Sequence, residues 1–266
     1  MQTSYTLIRL RRYKEAHAKA TKECAGKSQD KRSSMLFLGE SLILLGRYRE
    51  AQEHFEKQAK EYRFLGSRVG YNFTYAGIAN WFQAQREKSI RLWEEGLKAG
   101  YQSGDGGMEI PWVMLYAAGR YPECISRANV EQLIRMKSKR LYHSDSPLAI
   151  SQFALGIKTY DEIVAELPTL HEGKYAEYQV MIDRSLVDFI AGVHALFDQN
   201  VARFYEQMVA CASITGHSSP AAELIIAECE IRHGPPKWKR RFAKWLRENV
   251  CPNGKPKKSR GKTSRP

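Results

Sequence analysis

The residues able to do chemistry in this 266-residue chain fall into four short constellations. His194 and Asp198 stand four apart, with Asp188 upstream, and on one helix face would make a general acid/base pair if they lined a pocket. The ordinary alternative for such a pair is a surface ion pair worth about 0.3 kcal/mol. Cys229 and His233 have the same spacing and offer a metal two ligands, but nothing nearby supplies the others. Gly216-His217-Ser218-Ser219-Pro220 resembles a nucleophile elbow, yet it lacks the closing glycine of Gly-x-Ser-x-Gly and follows no strand. Ser218 or Ser219 reads better as the N-cap of the next helix. Gly104, Gly106 and Gly107 around Asp105 suggest phosphate or calcium, but no Lys-Ser/Thr follows and no carboxylate series surrounds the aspartate. The expectation is a protein with no catalytic residue, no metal and no cofactor.

The elements that would position these groups are helical throughout, because no stretch alternates as a strand. Helices are expected near 34–45, 48–64, 70–83 and 86–99. Another follows Ile110-Pro111, with a partner opened by Gly119-Arg120-Tyr121-Pro122, where Pro122 fits a first helical turn. Further helices are expected at Ala176–Phe197, Val201–Ile214, Pro220–His233 and Pro236–Asn249, and Ser144-Asp145-Ser146-Pro147 marks a seam. The Asn72-Phe73-Thr74 sequon reads as accidental. Five scattered cysteines (Cys24, Cys124, Cys211, Cys229, Cys251) include no Cys-x-x-Cys pair, so neither a disulfide framework nor a zinc site is indicated.

One helix-pair phrase recurs. Leu38-Gly39, Gly46, Tyr48, Ala51 and Phe55 keep fixed offsets, and Gly77, Ser89 and Trp93 repeat three of them 38 residues later. Gly119-Arg120-Tyr121 with Cys124 restates Gly46-Arg47-Tyr48 with Ala51. A small residue on each helix lets two backbones approach, while the aromatic fills the groove beyond. Tyr13-Lys14-Glu15-Ala16 shares a phrase with Tyr48-Arg49-Glu50-Ala51, so the first helix reads as the second half of an incomplete leading pair. Helix pairs that cannot bury their apolar faces alone stack into solenoids.

The phrase Leu38-Gly39…Gly46-x-Tyr48-x-x-Ala51-x-x-x-Phe55 resembles the tetratricopeptide repeat. The likeness is clear over residues 34–99 and weaker to about 128, and the 38-residue spacing departs from the 34 residues typical of that family. The resemblance implies an all-α, right-handed α-solenoid of antiparallel helix pairs that binds a protein or peptide partner on its concave face. It carries over no catalytic residue. Asn72, Asn80, Gln83 and Gln85, with Trp81, Trp112 and Tyr116, are the expected groove contacts. A fainter resemblance is to the helical immunity proteins that neutralise bacterial toxins.

Charge separates the regions. The net charge is +13, but residues 1–34 hold nine Lys/Arg against three Asp/Glu, residues 35–231 hold 20 against 25, and residues 232–266 hold 13 against one. A mildly acidic body thus lies between basic ends. The expected organisation is 1–143 repeat pairs, 144–251 a divergent helical continuation with a capping helix, and 252–266 a basic disordered tail. In the final helix Trp238, Phe242, Trp245 and Leu246 form an apolar stripe opposite a basic face. The stripe should dock, leaving the cations wet. Lys237, Lys239, Arg240, Arg241 and Lys244, with Lys257, Lys258 and Arg260, would then be available to nucleic acid as an alternative partner. No apolar run is long enough to span a membrane, and Met1–Arg12 has the wrong order for a secretory signal, so the chain is expected to be cytoplasmic.

Overall fold

The computed structural model describes residues 3–26, 31–61, 69–103, 109–141, 145–214 and 221–250. The glycine-rich turn at 104–107, the 216–220 segment and the basic tail with Lys257, Lys258 and Arg260 lie outside the described residues. The described elements are α1 (Ser4–Arg9), α2 (Tyr13–Ala25), α3 (Lys31–Leu44), α4 (Tyr48–Glu61), α5 (Val69–Trp81), α6 (Arg86–Ser103), α7 (Ile110–Arg120), α8 (Arg127–Leu141), α9 (Asp145–Ala154), α10 (Tyr160–Glu166), α11 (Ala176–Phe197), α12 (Val201–Ala212), α13 (Ala222–His233) and α14 (Pro236–Asn249). No strand occurs among the described residues, and no helix there is long and apolar enough to cross a membrane. Every helix packs against the next in sequence.

One turn geometry closes five of the helix pairs. Arg11, Gly46, Ala84, Gly156 and Gln199 have φ of +54°, +77°, +62°, +70° and +55°. Each donates its backbone N–H to a carbonyl three residues back, and the following residue donates five back, as in Gly46 to Ile43 and Arg47 to Leu42. This two-bond closure satisfies the last carbonyls of the first helix. Glycine adopts the left-handed conformation without steric cost; arginine, alanine and glutamine do not.

Three of these pairs share one packing contact. A Cβ on Gly39 would lie 2.2 Å from Phe55 Cζ, and one on Gly77 would lie 2.1 Å from Trp93 Nε1. The glycine on the first helix therefore makes room for the aromatic on the second, as the offsets predict. A further copy appears where the phrase is lost from the sequence: a Cβ on Gly192 would lie 2.4 Å from Met208 Cε. The spacing from glycine to partner is the same in all three pairs, so α11–α12 repeats the packing of α3–α4 and α5–α6. The leading pair is completed by the short α1, with Ser4 and Ala16 buried at the small positions.

The third echo is corrected. Gly119 is not a turn glycine like Gly46; it sits within α7, where its open face meets Leu196 and Val193 of α11. The helix therefore runs on to Arg120, α8 starts only at Arg127, and Pro122 falls in the turn rather than in a first helical turn.

The core is one continuous cluster from Leu7 to Phe242. Its centre is α13, in which Ala222 to Ala227 and Cys229 to Ile231 are buried. Besides α12 and α14, this helix packs against α11 and against α3, α5 and α7, the first helices of three successive pairs. The C-terminal half thus folds back over the face those helices form.

Candidate functional site

The expected groove residues are brought together, but around a helix of the same chain. Asn80 is fully buried and donates its amide to Ala76 O at 2.8 Å. The buried Trp81 indole donates to Tyr116 Oη at 3.1 Å, and the fully buried Tyr116 hydroxyl donates to Glu230 Oε1 of α13. Arg120 closes this chain, its Nε 3.2 Å from the same carboxylate. Trp112 is buried, Asn72 is half-buried, and Gln83 donates to Gln52 Oε1 at 2.9 Å. Gln85 is exposed. Asn80, Trp81, Trp112 and Tyr116 therefore lie in the interior rather than on an open groove wall, and Tyr116 there meets Glu230 of α13.

Polar contacts fix α13 along its length. Glu228 accepts from Arg11 Nε at 3.1 Å and from the Tyr13 hydroxyl. His233 Nε2 meets the Tyr48 hydroxyl at 2.8 Å, and its ring stacks on Phe82 at 5.8 Å. Tyr13 and Tyr48 share one place in the repeated phrase, so both repeat tyrosines are turned to this helix. Near its start, Glu223 accepts from Ser185 Oγ, and burial raises its carboxyl above the usual range, with Asp183 adding to the rise. Burial raises Glu109 in the same way, and Glu223 opposite raises it further. Desolvation favours the neutral acid, so at least one of the pair keeps a proton above the ordinary carboxylate range.

The candidate catalytic groups are held in internal contacts. His194 Nε2 lies 3.2 Å from Ala154 O, and burial lowers the pKa of its ring. Asp188 accepts from Tyr160 Oη at 2.6 Å and from Arg184 Nε at 3.0 Å, while Asp198 caps the end of α11 in solvent. Cys229 and His233 both meet Tyr48, with no third metal-ligating side chain grouped with them among the described residues, and burial pushes the Cys229 thiol up to about 12. Thr74 of the sequon is fully buried and donates to Gly70 O.

The open, charged surface is α14. Trp238 and Phe242 are buried, Trp238 stacking on Tyr205 at 6.1 Å, and Trp245 and Leu246 are half-buried. Lys237, Lys239, Arg240, Arg241, Lys244 and Arg247 are exposed. Arg241 pairs with Glu206 at 3.3 Å and Lys244 with Glu248 at 3.9 Å. Lys237, Lys239, Arg240 and Arg247 have no ion pair among the described residues. The amphipathic pattern thus reads out as expected, with the apolar stripe inward and the cations in water.

Comparison with family models, curated proteins and solved structures finds no match to this chain. The site must be read from its own chemistry. Two residues that the sequence does not single out complete it: Arg11, whose guanidinium lies 5.1 Å from the Trp245 ring centroid, and Arg232, whose Nη1 is buried without a hydrogen-bond partner. Arg11 reaches α14 only because α13 and α14 return to the N-terminus, a closure between residues more than 200 positions apart that no local spacing signals.

Proposed function

We propose that this chain is a non-enzymatic helical-repeat scaffold, a right-handed solenoid closed by its own α13, that binds an acidic protein partner through the basic face of α14. The observation that carries the reading is the occupied inner face: α13 fills the surface of α3, α5 and α7, so a partner meets the outer, cationic edge instead. The internal engagement of His194, Asp188 and Cys229 supports a binding role over a catalytic one.

A second reading is favoured by the unpaired row Lys237, Lys239, Arg240 and Arg247, which suits a nucleic-acid backbone as well as carboxylates. One experiment separates the two. The intact protein and a Lys237→Glu/Arg240→Glu/Arg247→Glu variant are used to capture partners from native lysate with and without nuclease, and the captured species is then titrated as a purified component against salt. A single protein retained after nuclease and lost on charge reversal supports the first reading. Capture indifferent to the charge reversal sinks both readings. Material that disappears with nuclease moves the function to nucleic acid.

A further inference from the structure

At the junction of α2, α13 and α14 lies a pocket of about 300 Å³, with Phe242, Ala243 and Leu246 on its floor and Arg11, Arg232 and Lys239 among its walls. We infer that this pocket anchors one apolar side chain of the partner, flanked by carboxylates that meet Arg232 and Lys239. The inference rests on the protein-binding reading above and specifies where and how the partner is held.

The charge count around the pocket points to an anion. The single lining carboxylate, Glu228, is already paired with Arg11. Arg11 is further fixed by donating to Ala212 O and by lying over the Phe242 and Trp245 rings. Arg232 and Lys239 have no ion pair among the described residues, so two positive charges remain unbalanced beside the apolar floor. Arg232 is half-buried, where a cation without a counter-ion is costly, and a carboxylate supplied by a partner removes that cost; Lys239, exposed beside it, adds attraction for the same carboxylate.

The apolar floor decides the partner's class. A volume of about 300 Å³ lies at the small end of ligand sites and suits one large side chain. Single-stranded nucleic acid gains most from open aromatic faces on which bases stack. Here Arg11 lies over the Trp245 ring and Phe242 is 8% exposed, so neither offers an open stacking face, and the contact left to a partner comes mainly from the half-buried Ala243 and Leu246. A membrane surface would require the apolar stripe of α14 to face outward, but Trp238 and Phe242 are buried at 5% and 8% exposure. An acidic peptide segment carrying one leucine or aromatic residue satisfies both the floor and the cations.

The test uses the full chain and fluorescence anisotropy with three labelled probes of equal charge: an oligo-Glu peptide with one central leucine, the same peptide with alanine there, and a single-stranded oligodeoxynucleotide. The leucine peptide should bind at least tenfold more tightly than the alanine peptide. Ala243→Trp fills the floor without changing charge and should erase that difference while leaving the alanine peptide's affinity in place. Ala243→Leu, a smaller filling, should reduce the difference by less, and Lys239→Glu should weaken both peptides. Thermal melts establish that each variant folds. Equal binding of the two peptides to the wild type overturns the pocket, as does a leucine preference that survives in a folded Ala243→Trp. Tightest binding of the oligonucleotide overturns the choice of partner class. If the α14 charge-reversal variant still captures its protein, the broader reading fails instead, so the two failures are distinguishable.

Discussion

Alanine substitutions at the paired glycines pit two physical effects of opposite sign against each other. Gly39 and Gly77 both lie inside helices, where glycine-to-alanine replacement on propensity alone stabilises by about 1 kcal/mol. The packing says the reverse. The new Cβ would stand 2.2 Å from the Phe55 ring and 2.1 Å from the Trp93 indole, whereas ordinary contact begins at 3.4 Å. Both rings are fully buried, so each would have to move by more than 1 Å within a close-packed core. Overpacking of that kind costs about 1–3 kcal/mol. Net of propensity, Gly39→Ala and Gly77→Ala should destabilise by up to about 2 kcal/mol, lowering Tm by up to about 8 °C for a chain of this size. Gly192→Ala grades the argument, because its nearest neighbour is the free end of Met208, which can swing aside. That variant should fall within about 0.5 kcal/mol of the wild type. Denaturant titration followed by circular dichroism measures all three, and Phe55→Leu should relieve Gly39→Ala, giving favourable coupling in a double-mutant cycle. If Gly39→Ala and Gly77→Ala stabilise by the propensity increment, the close-approach account of the repeat is wrong.

Three further outcomes follow from named contacts. Ala84→Gly removes a side chain from a left-handed position that Gly46 fills in the preceding pair, and should stabilise by about 1 kcal/mol in the same titration; a destabilised protein would contradict the turn assignment. Glu230→Ala leaves Arg120 without its buried counter-charge and should cost about 3–5 kcal/mol, with Glu230→Gln milder, because the amide still accepts from Tyr116; equal losses would mean that the Tyr116 hydrogen bond plays no part there and the lost charge accounts for the whole effect. For pH, the sign follows from the raised carboxyls of Glu109 and Glu223, which keep protons in the folded state that the unfolded chain has lost. Their contribution is full below the ordinary carboxylate pKa and is lost as pH rises through the raised values, so Tm should fall from pH 6 to pH 9, by up to about 1.4 kcal/mol of stability per pH unit for each proton. Glu223→Gln stays neutral and should flatten that slope; an unchanged slope removes the pair as its cause.

Much of the architecture was legible because short-range rules govern it. The limits of α11 and α14 coincide with the expected 176–197 and 236–249, since Pro236 opens one helix and the apolar period runs unbroken in both. The Gly39–Phe55 and Gly77–Trp93 contacts could be inferred because both members lie within one helix pair. The α11–α12 copy was hidden because Met208 replaces the aromatic, Gln199 replaces the turn glycine and Phe204 replaces the small residue, leaving the geometry with Gly192 alone of those residue types. The candidate site was legible only in part. The basic face of α14 follows from periodicity, but Asn80, Trp81 and Tyr116 were expected on a groove wall, where their side chains would meet a partner. Tyr116 does meet a helix, but it is α13 of the same chain, with Trp81 bonded to Tyr116 behind it, and no rule of local spacing says that a chain supplies the occupant of its own repeat surface.

That occupancy also explains where the uncompensated charge resides. Glu228 and Glu230 of α13 neutralise Arg11 and Arg120, two cations of the N-terminal half, deep in the interface between the halves. Immediately beyond, α14 has six cations and one acidic residue, and among the described residues only Glu206 and Glu248 pair with any of them. Had the helix served merely as a cap, its apolar stripe would have required burial but its opposite face would not have required one sign of charge; mixed charges solubilise a surface equally well. On the proposed reading, a single-signed face next to an apolar pocket would instead concentrate an anionic partner by long-range attraction and then discriminate by contact. The two effects separate experimentally: raising salt across the Debye regime should weaken the leucine and alanine peptides in parallel, since screening acts on the shared carboxylates, while the ratio of their affinities should stay constant, since it is set by the floor formed by Phe242, Ala243 and Leu246. A ratio that collapses with salt would assign the whole interaction to charge and leave the pocket without a role.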